Sequence, residues 1–341
     1  MVEVVTGAGL QLGVGAFTGQ SLVAGPGSGC EILDVLEHAV LAEELGFDSL
    51  WLSEHHFSPD GYTGALFPLL GALTARTNRL VLGTRVLLAP LHPALLLAED
   101  AAQLAVLSGG RFLMGLGLGY RDQEFQSLRI DKADRVARLV EVVEVCRKAW
   151  TGEAFDHDGP TMASKRIVCR PAPPIPPRIW IGGRAAPALR RAVALADGYV
   201  APVAGHDQTL AAVADLDAIT PRDRPRMPVM TGAFVLLSRT QDEAEVLDRG
   251  LEQVLDRYAG WVENEPAIRS GATDDVGVGV VRGTPAQVSE ILARRVSALR
   301  GREHHLQMRV AYPGMTREQI ESHMRLLASE VMPMLRDVAA G

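Results

Sequence analysis

Two adjacent histidines stand at the end of an apolar segment, where an imidazole could take part in acid–base chemistry. Residues 48–56 are predicted as a β-strand, whose alternate side chains point to opposite faces. Glu54 and His56 then share one face with the leucines of the segment, and His55 shares the other face with Trp51. If the leucines pack against covering helices, His55 points to the opposite side, where it could act as a general acid or base near neutral pH. The alternative is that both histidines only form hydrogen bonds with loop carbonyls.

No metal site is predicted from these histidines. Neither an HExxH nor a His-x-His spacing is present to supply a further ligand. The three cysteines, Cys30, Cys146 and Cys169, are widely spaced and odd in number. Their spacing excludes a CxxC zinc or redox site and a disulfide scaffold, and it fits a reducing compartment.

Glycines at alternate positions mark a second predicted strand end. Gly115, Gly117 and Gly119 lie in the segment 111–120, and the sixth position of the pattern is Tyr120, so the dinucleotide fingerprint G-x-G-x-x-G is missed. Alternate glycines leave one face of a strand without side chains, so a flat ligand could lie against the backbone. Close packing inside the fold is the alternative.

A different glycine pair leads directly into a predicted helix. Gly182, Gly183 and Arg184 precede the helical pattern of residues 185–196. Free N–H groups and the dipole at a helix N-terminus, together with a guanidinium, bind phosphate groups. A phosphate-bearing ligand is therefore predicted here, with an ordinary strand-to-helix turn as the alternative.

These residues must be positioned by an alternation of strands and helices. Eight apolar strand segments recur along the chain, each followed by an amphipathic helix, which is typical of parallel strands covered by helices. An α/β fold follows, and the simplest closure is a single (β/α)₈ TIM barrel over residues 1–341 with an insertion near 151–177; a doubly wound sheet with a second domain is the alternative. Working residues of such a barrel lie at the carboxyl ends of its strands. The predicted strands are 10–18, 48–56, 80–90, 111–120, 178–181, 198–203, 227–238 and 306–312.

Composition narrows the class of protein. The chain has 341 residues, of which 47% are hydrophobic and 22% charged, so it can bury a large core. Its net charge of −7, with both signs scattered, argues against nucleic acid or an anionic membrane as a partner. No apolar run reaches the length of a membrane span and no cleavable leader is evident, so a cytoplasmic enzyme is expected.

At these residues the chain resembles the bacterial luciferase-like family of flavin-dependent oxidoreductases. The likeness covers about residues 10–335 and is specific as a set of motifs rather than through any one of them. Its pieces are Glu54-His55-His56-Phe57, Leu82-Gly83-Thr84, Pro90, His92-Pro93, Ala98-Glu99-Asp100, Leu107-Ser108-Gly109-Gly110-Arg111-Phe112, Gly115, Phe125, Ile179-Trp180-Ile181-Gly182-Gly183, Gly283-Thr284-Pro285 and Met332-Pro333.

The resemblance implies a (β/α)₈ barrel that binds reduced FMN, or in some branches the deazaflavin coenzyme F420, at the carboxyl-end mouth. His55 matches the position of the family's active-site histidine. Arg85-Val86 falls where the family often has a non-proline cis peptide that supports the isoalloxazine ring. The cofactor-binding residues expected on these grounds are Arg85, Val86, Gly117, Gly119, Gly182, Gly183 and Arg184.

The resemblance favours a two-component monooxygenase, in which a separate flavin reductase supplies reduced FMN and O₂ is incorporated into a small organic substrate. The alternatives are hydride transfer between coenzyme F420 and an alcohol or carbonyl, and a flavin-binding protein without activity. Luciferases have an arginine at the position of Leu118 and a cysteine at that of Gly117, so light emission is not expected. The form Gly182-Gly183-Arg184 is shared with deazaflavin and alkanesulfonate-type relatives.

A homodimer is also expected from the resemblance. The predicted helix 92–107 carries more apolar residues than one core-facing stripe needs, among them Leu95, Leu96, Ala102 and Val106. An exposed apolar patch on a soluble protein usually means association. The alternative is that the insertion covers these residues.

Overall fold

Eight parallel strands pair in a closed ring. The computed structural model describes residues 9–23, 25–27, 29–261 and 279–341. The ring order is β1-β2-β3-β5-β8-β9-β10-β12, with β12 returning to β1, and this confirms the predicted (β/α)₈ barrel. The strands are β1 (Leu10–Phe17), β2 (Ser49–Leu52), β3 (Val81–Thr84), β4 (Leu87–Leu88), β5 (Phe112–Gly117), β6 (Phe155–Asp158), β7 (Ala163–Ile167), β8 (Arg178–Gly182), β9 (Gly198–Val200), β10 (Val229–Leu237), β11 (Val280–Gly283) and β12 (His304–Arg309).

Helices cover the outside of this ring. Several begin and end where local chemistry predicts: Gly46 follows the first helix with φ 81°, and Thr284 caps a helix that has proline in its first turn. The helices are α1 (Asp34–Glu44), α2 (Leu66–Arg76), α3 (Ala94–Leu107), α4 (Asp122–Ser127), α5 (Arg135–Ala149), α6 (Ala186–Leu195), α7 (His206–Ile219), α8 (Gln241–Trp261), α9 (Pro285–Ala298), α10 (Arg317–Leu326) and α11 (Met332–Ala340).

The side chains of the strands divide between two apolar layers. Leu50 and Leu52 of β2 face outward and join the core between sheet and helices. Trp51 points inward and packs in the barrel centre with Trp180 and Met230. The alternation predicted for residues 48–56 is therefore confirmed within β2. Several strands carry glycines beside this central layer, which leave room for the longer side chains of neighbouring strands.

Several segments depart from the regular pattern. The strand predicted over 80–90 is divided into β3 and β4, because the chain turns at Arg85-Val86, whose peptide bond is cis as the resemblance implied. The helix predicted over 316–335 is interrupted by a π-helical turn at Leu327–Val331, just before Pro333. The short helix α4 and the strand β11 were not predicted.

The insertion forms a hairpin. Strands β6 and β7 pair antiparallel within residues 151–177, apart from the barrel sheet. Glu141 of α5 ties the hairpin down by accepting hydrogen bonds from the Thr161 hydroxyl and pairing with His157 Nε2 at 3.0 Å. The predicted excursion is confirmed as an insertion on the barrel.

The outer face of α3 is only partly the surface that was expected. Three of its side chains are exposed: Leu96 by 58%, Val106 by 43% and Leu107 by 61%. Ala102, however, is buried in the core, which corrects its assignment to an exposed patch, and Leu95 is half-buried. In the described part of the chain no helix is long and apolar enough to cross a bilayer.

Candidate functional site

His55 lies at the carboxyl end of β2, in a buried pair with an acidic side chain. Its Nδ1 is 3.0 Å from Glu124 Oε1 of α4, and the same oxygen accepts the backbone N–H of His56 at 2.9 Å. Glu124 is fully buried and also lies 3.6 Å from the Arg121 guanidinium. A carboxylate in this place fixes the ring orientation and tautomer of His55, with Nδ1–H donating, so that Nε2 is the nitrogen left for other partners.

Aromatic side chains enclose the His55 ring. The centroids of Tyr62, Tyr120, Tyr258 and Trp261 lie between 4.6 and 6.2 Å from that of His55. The Tyr120 hydroxyl is 3.4 Å from His55 Nε2. His55 is 7% exposed, so this part of the mouth excludes most water, a condition under which hydrogen bonds and charges act more strongly.

His56 belongs to a separate hydrogen-bonded group on the other face of the strand end. Its Nε2 lies 2.9 Å from Glu54 Oε1, and His92 Nε2 lies 2.8 Å from the same atom. Burial would raise the pKa of Glu54, but the hydrogen bonds from His56, His92 and Leu88 N outweigh it and lower that pKa to about 2. Burial would lower the pKa of His56, but its bond to Glu54 raises it.

The same three side chains form a set that could hold a metal ion. Ligand atoms of Glu54, His56 and His92 lie within 4.8 Å of one another. The expectation of no metal rested on local spacing and did not include His92, which is 38 residues from Glu54. Because both imidazoles already share the Glu54 carboxylate, the arrangement is explained by hydrogen bonding, and it ties the end of β2 to the segment before α3.

A small platform forms where the cis peptide meets two of the predicted glycines. A Cβ on Gly117 would lie 2.5 Å from Val86 Cγ2, and one on Gly182 would lie 3.5 Å from Val86 Cγ1. The Val86 side chain therefore packs between the ends of β5 and β8, as the glycines permit. Close packing against Val86 therefore accounts for Gly117, as the sequence alternative had it, and it brings three predicted cofactor residues together.

The other predicted cofactor residues have mixed surroundings. Gly119 has φ 71° and a Cβ there would meet Phe125, so a turn and its packing already require this glycine. Gly183 has φ 146°, and its carbonyl accepts the Tyr199 hydroxyl at 2.8 Å. Arg184 is exposed at the rim, before α6. Pro187 in the first turn of α6 offers no N–H, so Arg184 must carry more of any phosphate binding than was predicted.

Arg85 sends its side chain into the barrel. Its Nη2 donates to Ala201 O at 3.0 Å, and the guanidinium fills the space that a Cβ on Gly232 would occupy. The Ser53 hydroxyl donates to Arg85 O at 2.8 Å and holds the backbone on the other side. Arg85 was expected only as a backbone support, and its charge in the mouth is an addition from the tertiary structure.

Sequence reasoning missed several residues around His55. Glu124, Tyr258 and Trp261 come from helices far from His55 in the sequence, and Tyr62 comes from the loop after β2, where no pattern marks it. Phe125 was noted only as part of the family resemblance, and its neighbour Glu124 carries no local motif. A signal existed only in the rule that side chains from several strand ends and their following segments meet at one mouth.

A cleft of about 200 Å³ opens elsewhere, between α8 and α10. Its lining includes Leu237, Val246, Met315 and Leu326. None of the residues around His55 lines it, so the candidate site is assigned from side-chain chemistry at the mouth rather than from this cleft.

Comparison with known proteins relates the whole barrel to one family. The model of the luciferase-like monooxygenase family matches residues 11–302. An F420-dependent glucose-6-phosphate dehydrogenase of Microbacterium testaceum is 32% identical over 223 residues, which are 63% of this chain and 62% of that protein. A 4-hydroxyprotoasukamycin monooxygenase of Streptomyces nodosus subsp. asukaensis is 32% identical over 143 residues, 42% of this chain and 38% of that protein.

The similarity to these curated relatives spans less than two thirds of their length. Among solved structures, the monooxygenase RslO1 of Streptomyces bottropensis matches with a TM-score of 0.76 at 23% identity, covering 95% of this chain and 99% of that one. At that identity the structural match supports the fold.

Proposed function

The chain belongs to the luciferase-like monooxygenase family, and we propose that it is the oxygenating component of a two-component monooxygenase. The observation that carries the proposal is the His55–Glu124 pair, enclosed by aromatic rings beside the Val86 platform. An acid–base group in a water-poor mouth suits oxygen chemistry at a reduced flavin, which water would otherwise quench.

The residues at the mouth fit an FMN molecule. Val86, Gly117 and Gly182 would support the ring, and Arg184 with the start of α6 would bind the phosphate. When bound, reduced FMN would supply the electrons that activate O₂. A separate flavin reductase would provide it in the reduced form.

The chain's own residues would position the substrate and move protons. Glu124 holds His55 with Nδ1–H donating, which leaves Nε2 to accept or return a proton. The Tyr120 hydroxyl at 3.4 Å is the nearest partner for that nitrogen and would orient a substrate oxygen. The aromatic rings would exclude water and contact an organic substrate.

A second candidate is hydride transfer with coenzyme F420. It is favoured by relatives such as the Microbacterium testaceum enzyme, which is named as an F420-dependent dehydrogenase. The same His55–Glu124 pair would then take the proton of an alcohol that is oxidised to a carbonyl. A flavin-binding protein without activity is a third outcome that the experiment below separates.

The test is to titrate the purified chain, without oxygen, with reduced FMN and separately with reduced coenzyme F420. We expect tight one-to-one binding of FMN. After mixing with air, the complex should consume O₂, and this consumption should depend on His55. Arg184→Glu should weaken FMN binding at least tenfold, about 1.4 kcal/mol, and Arg190→Glu on the same helix is the control. Preferential binding of coenzyme F420 would replace the proposal with the second candidate. Binding of FMN without any chemistry that depends on His55 would leave only the third candidate, a flavin-binding protein without activity.

A further inference from the structure

Two arginines and a glutamine in the barrel mouth have donor atoms without partners. Arg309 and Gln307 alternate along β12 toward the mouth, and both side chains are only 2% exposed. Arg309 Nη1, Gln307 Nε2 and Arg85 Nε are buried and have no hydrogen-bond partner in the part of the chain that the structure describes. Gly232 pairs with Gln307 across β10 and β12, and the Arg85 guanidinium lies against Gly232, so Arg85 and Gln307 lie at the same level of the barrel, with Arg309 two residues further along β12.

Neither arginine has a carboxylate partner among the described residues. Arg309 donates from Nε to Ala311 O at 3.1 Å and makes a long contact of 3.4 Å with the Gln20 amide oxygen. Other arginines of the mouth are neutralised: Arg257 pairs with Asp60 at 3.1 Å, and Arg121 lies 3.6 Å from Glu124. Within the described ranges of the chain, the positive charges of Arg309 and Arg85 therefore have no carboxylate beside them.

A buried guanidinium without a partner destabilises the protein unless something compensates for it. The chain shows how it satisfies such a group elsewhere. Arg295, also 2% exposed, donates to Gly232 O at 2.8 Å and to Ala204 O at 3.2 Å. Arg309 instead lies 5.5 Å from the ring centroids of Phe234 and Tyr312, with a donor left over.

The unpaired charge lies close to the proposed chemistry. Burial raises the pKa of the Tyr62 hydroxyl well above its usual range, and the charge of Arg309 acts on that pKa in the opposite direction. The Tyr62 hydroxyl is 3.2 Å from that of Tyr258, and the rings of both tyrosines lie beside His55.

We propose that the substrate carries an oxyanion, a carboxylate or a phosphate, which Arg309 binds together with Gln307 and Arg85. A guanidinium binds either group through two parallel hydrogen bonds, and the glutamine amide adds a neutral donor. The anionic group would anchor the substrate so that its reacting atom lies at His55. This inference rests on the proposed function for the identity of the ligand as substrate, whereas anion binding itself does not.

The experiment measures anion binding to the flavin-free full-length chain by calorimetry, with benzoate and inorganic phosphate as probes. Wild type should bind at least one of them, and Arg309→Gln should weaken that binding tenfold or more. Arg309→Lys keeps the charge but loses the two-point contact, so its anion affinity should lie between those of wild type and Arg309→Gln. Arg294→Gln, at an exposed arginine on α9, is the charge-matched control and should bind like wild type. Thermal melts establish that each variant is folded. If Arg309→Gln does not fold, Arg309→Lys is the variant that tests the site.

Further arms separate this site from the cofactor site. Phosphate binding that is lost in Arg184→Glu and kept in Arg309→Gln would assign it to the start of α6 and overturn the proposal for phosphate. A parallel loss of FMN affinity in Arg309→Gln would assign the arginine to the cofactor and overturn the proposal. Equal binding of both probes to wild type and Arg309→Gln would do the same. A further outcome is that wild type binds an anion but no flavin, and that Arg309→Gln no longer binds the anion. In that case the proposed function fails while the anion site stands.

Discussion

His55 and His56 are adjacent in the sequence, yet their side chains belong to different hydrogen-bonded groups. His55 pairs with Glu124 inside the mouth, and His56 pairs with Glu54 and His92 on the opposite face. One side chain lies among the aromatic rings of the mouth, and the other helps to hold the segment after β2 in place. We propose that the two histidines differ in role accordingly.

Replacing these two histidines should separate the roles. His55→Ala should fold, bind cofactor as wild type does, and lose turnover by roughly 10²–10⁴, because a general acid–base group is removed. His56→Ala should lose less turnover and more thermal stability, since it leaves Glu54 with one fewer donor. Steady-state kinetics, cofactor titration and melting curves on both variants test this. Equal losses of turnover, or the reverse order, would show that the assignment by strand face is wrong.

Because Glu54 is ionised in the folded protein, we expect the free energy of unfolding to fall at acidic pH. The pKa of Glu54 falls from 4.5 to about 2 on folding, so it stabilises the fold fully above pH 4.5 and loses this contribution as the pH falls towards 2. The shift of a nearly fully buried group corresponds to about 3 kcal/mol. Urea unfolding between pH 3 and pH 7 should show this loss in wild type and a flatter profile in Glu54→Gln. Parallel profiles for the two proteins would contradict the linkage.

The candidate site is assembled from the ends of several strands and the segments that follow them. The segment after β2 carries His55, the segment after β5 brings Tyr120 and Glu124, and the last turn of α8 adds Tyr258 and Trp261. Between β3 and β4 the chain turns at Arg85-Val86 and presents Val86 to the glycines of β5 and β8. The site is therefore an assembly of element ends on a rigid ring.

The Val86 platform can be tested with two glycines that differ in available space. Gly117→Ala places a methyl group 2.5 Å from Val86 Cγ2, so the branched side chain must move, which costs about 1–3 kcal/mol of stability and should weaken cofactor binding. Gly182→Ala meets Val86 at an ordinary 3.5 Å and is the matched control. Melting curves and FMN titration of both variants give the comparison. If Gly182→Ala is as damaging as Gly117→Ala, close packing on Val86 does not define the platform.

At the scale of the whole molecule, we propose that the exposed face of α3 binds a second copy of the chain. Leu96, Val106 and Leu107 are exposed on it, and the insertion hairpin leaves them uncovered. Burying such apolar residues is the usual way in which a soluble protein forms a two-fold dimer. Glu99 and Gln103 lie on the same exposed face, so the surface is mixed rather than wholly apolar.

Light scattering at micromolar concentration should give twice the monomer mass of 36.6 kDa for wild type. Leu96→Glu should shift the population to monomer, because a charge would be buried in the interface. Leu128→Glu, at an exposed leucine outside α3, is the control and should stay dimeric. A monomeric wild type would refute the dimer, and a dimeric Leu96→Glu would place its interface elsewhere.

Local regularities in the sequence were sufficient for the barrel. Eight apolar strand segments with helices between them need no distant information, because periodicity, capping residues and turn glycines act within a few residues. For His55 the direction expected from alternation agrees with the structure, although β2 ends at Leu52 and His55 lies in the segment beyond it. The cis peptide at Arg85-Val86 followed from family resemblance, since nothing in the local residue types predicts it.

Only the tertiary structure decided which side chains meet. Glu124 becomes the partner of His55 across 69 positions of sequence, and Arg309 reaches Gln20 across 289. His92 joins Glu54 for the same reason, and Ala102 turned out to be core because neighbouring helices cover it. Closing the ring converts distant strand ends into neighbours, and no pattern within a segment records that closure. The lack of a carboxylate beside Arg309 and Arg85 among the described residues is likewise a property of the closed mouth, because it depends on side chains that several strands bring together.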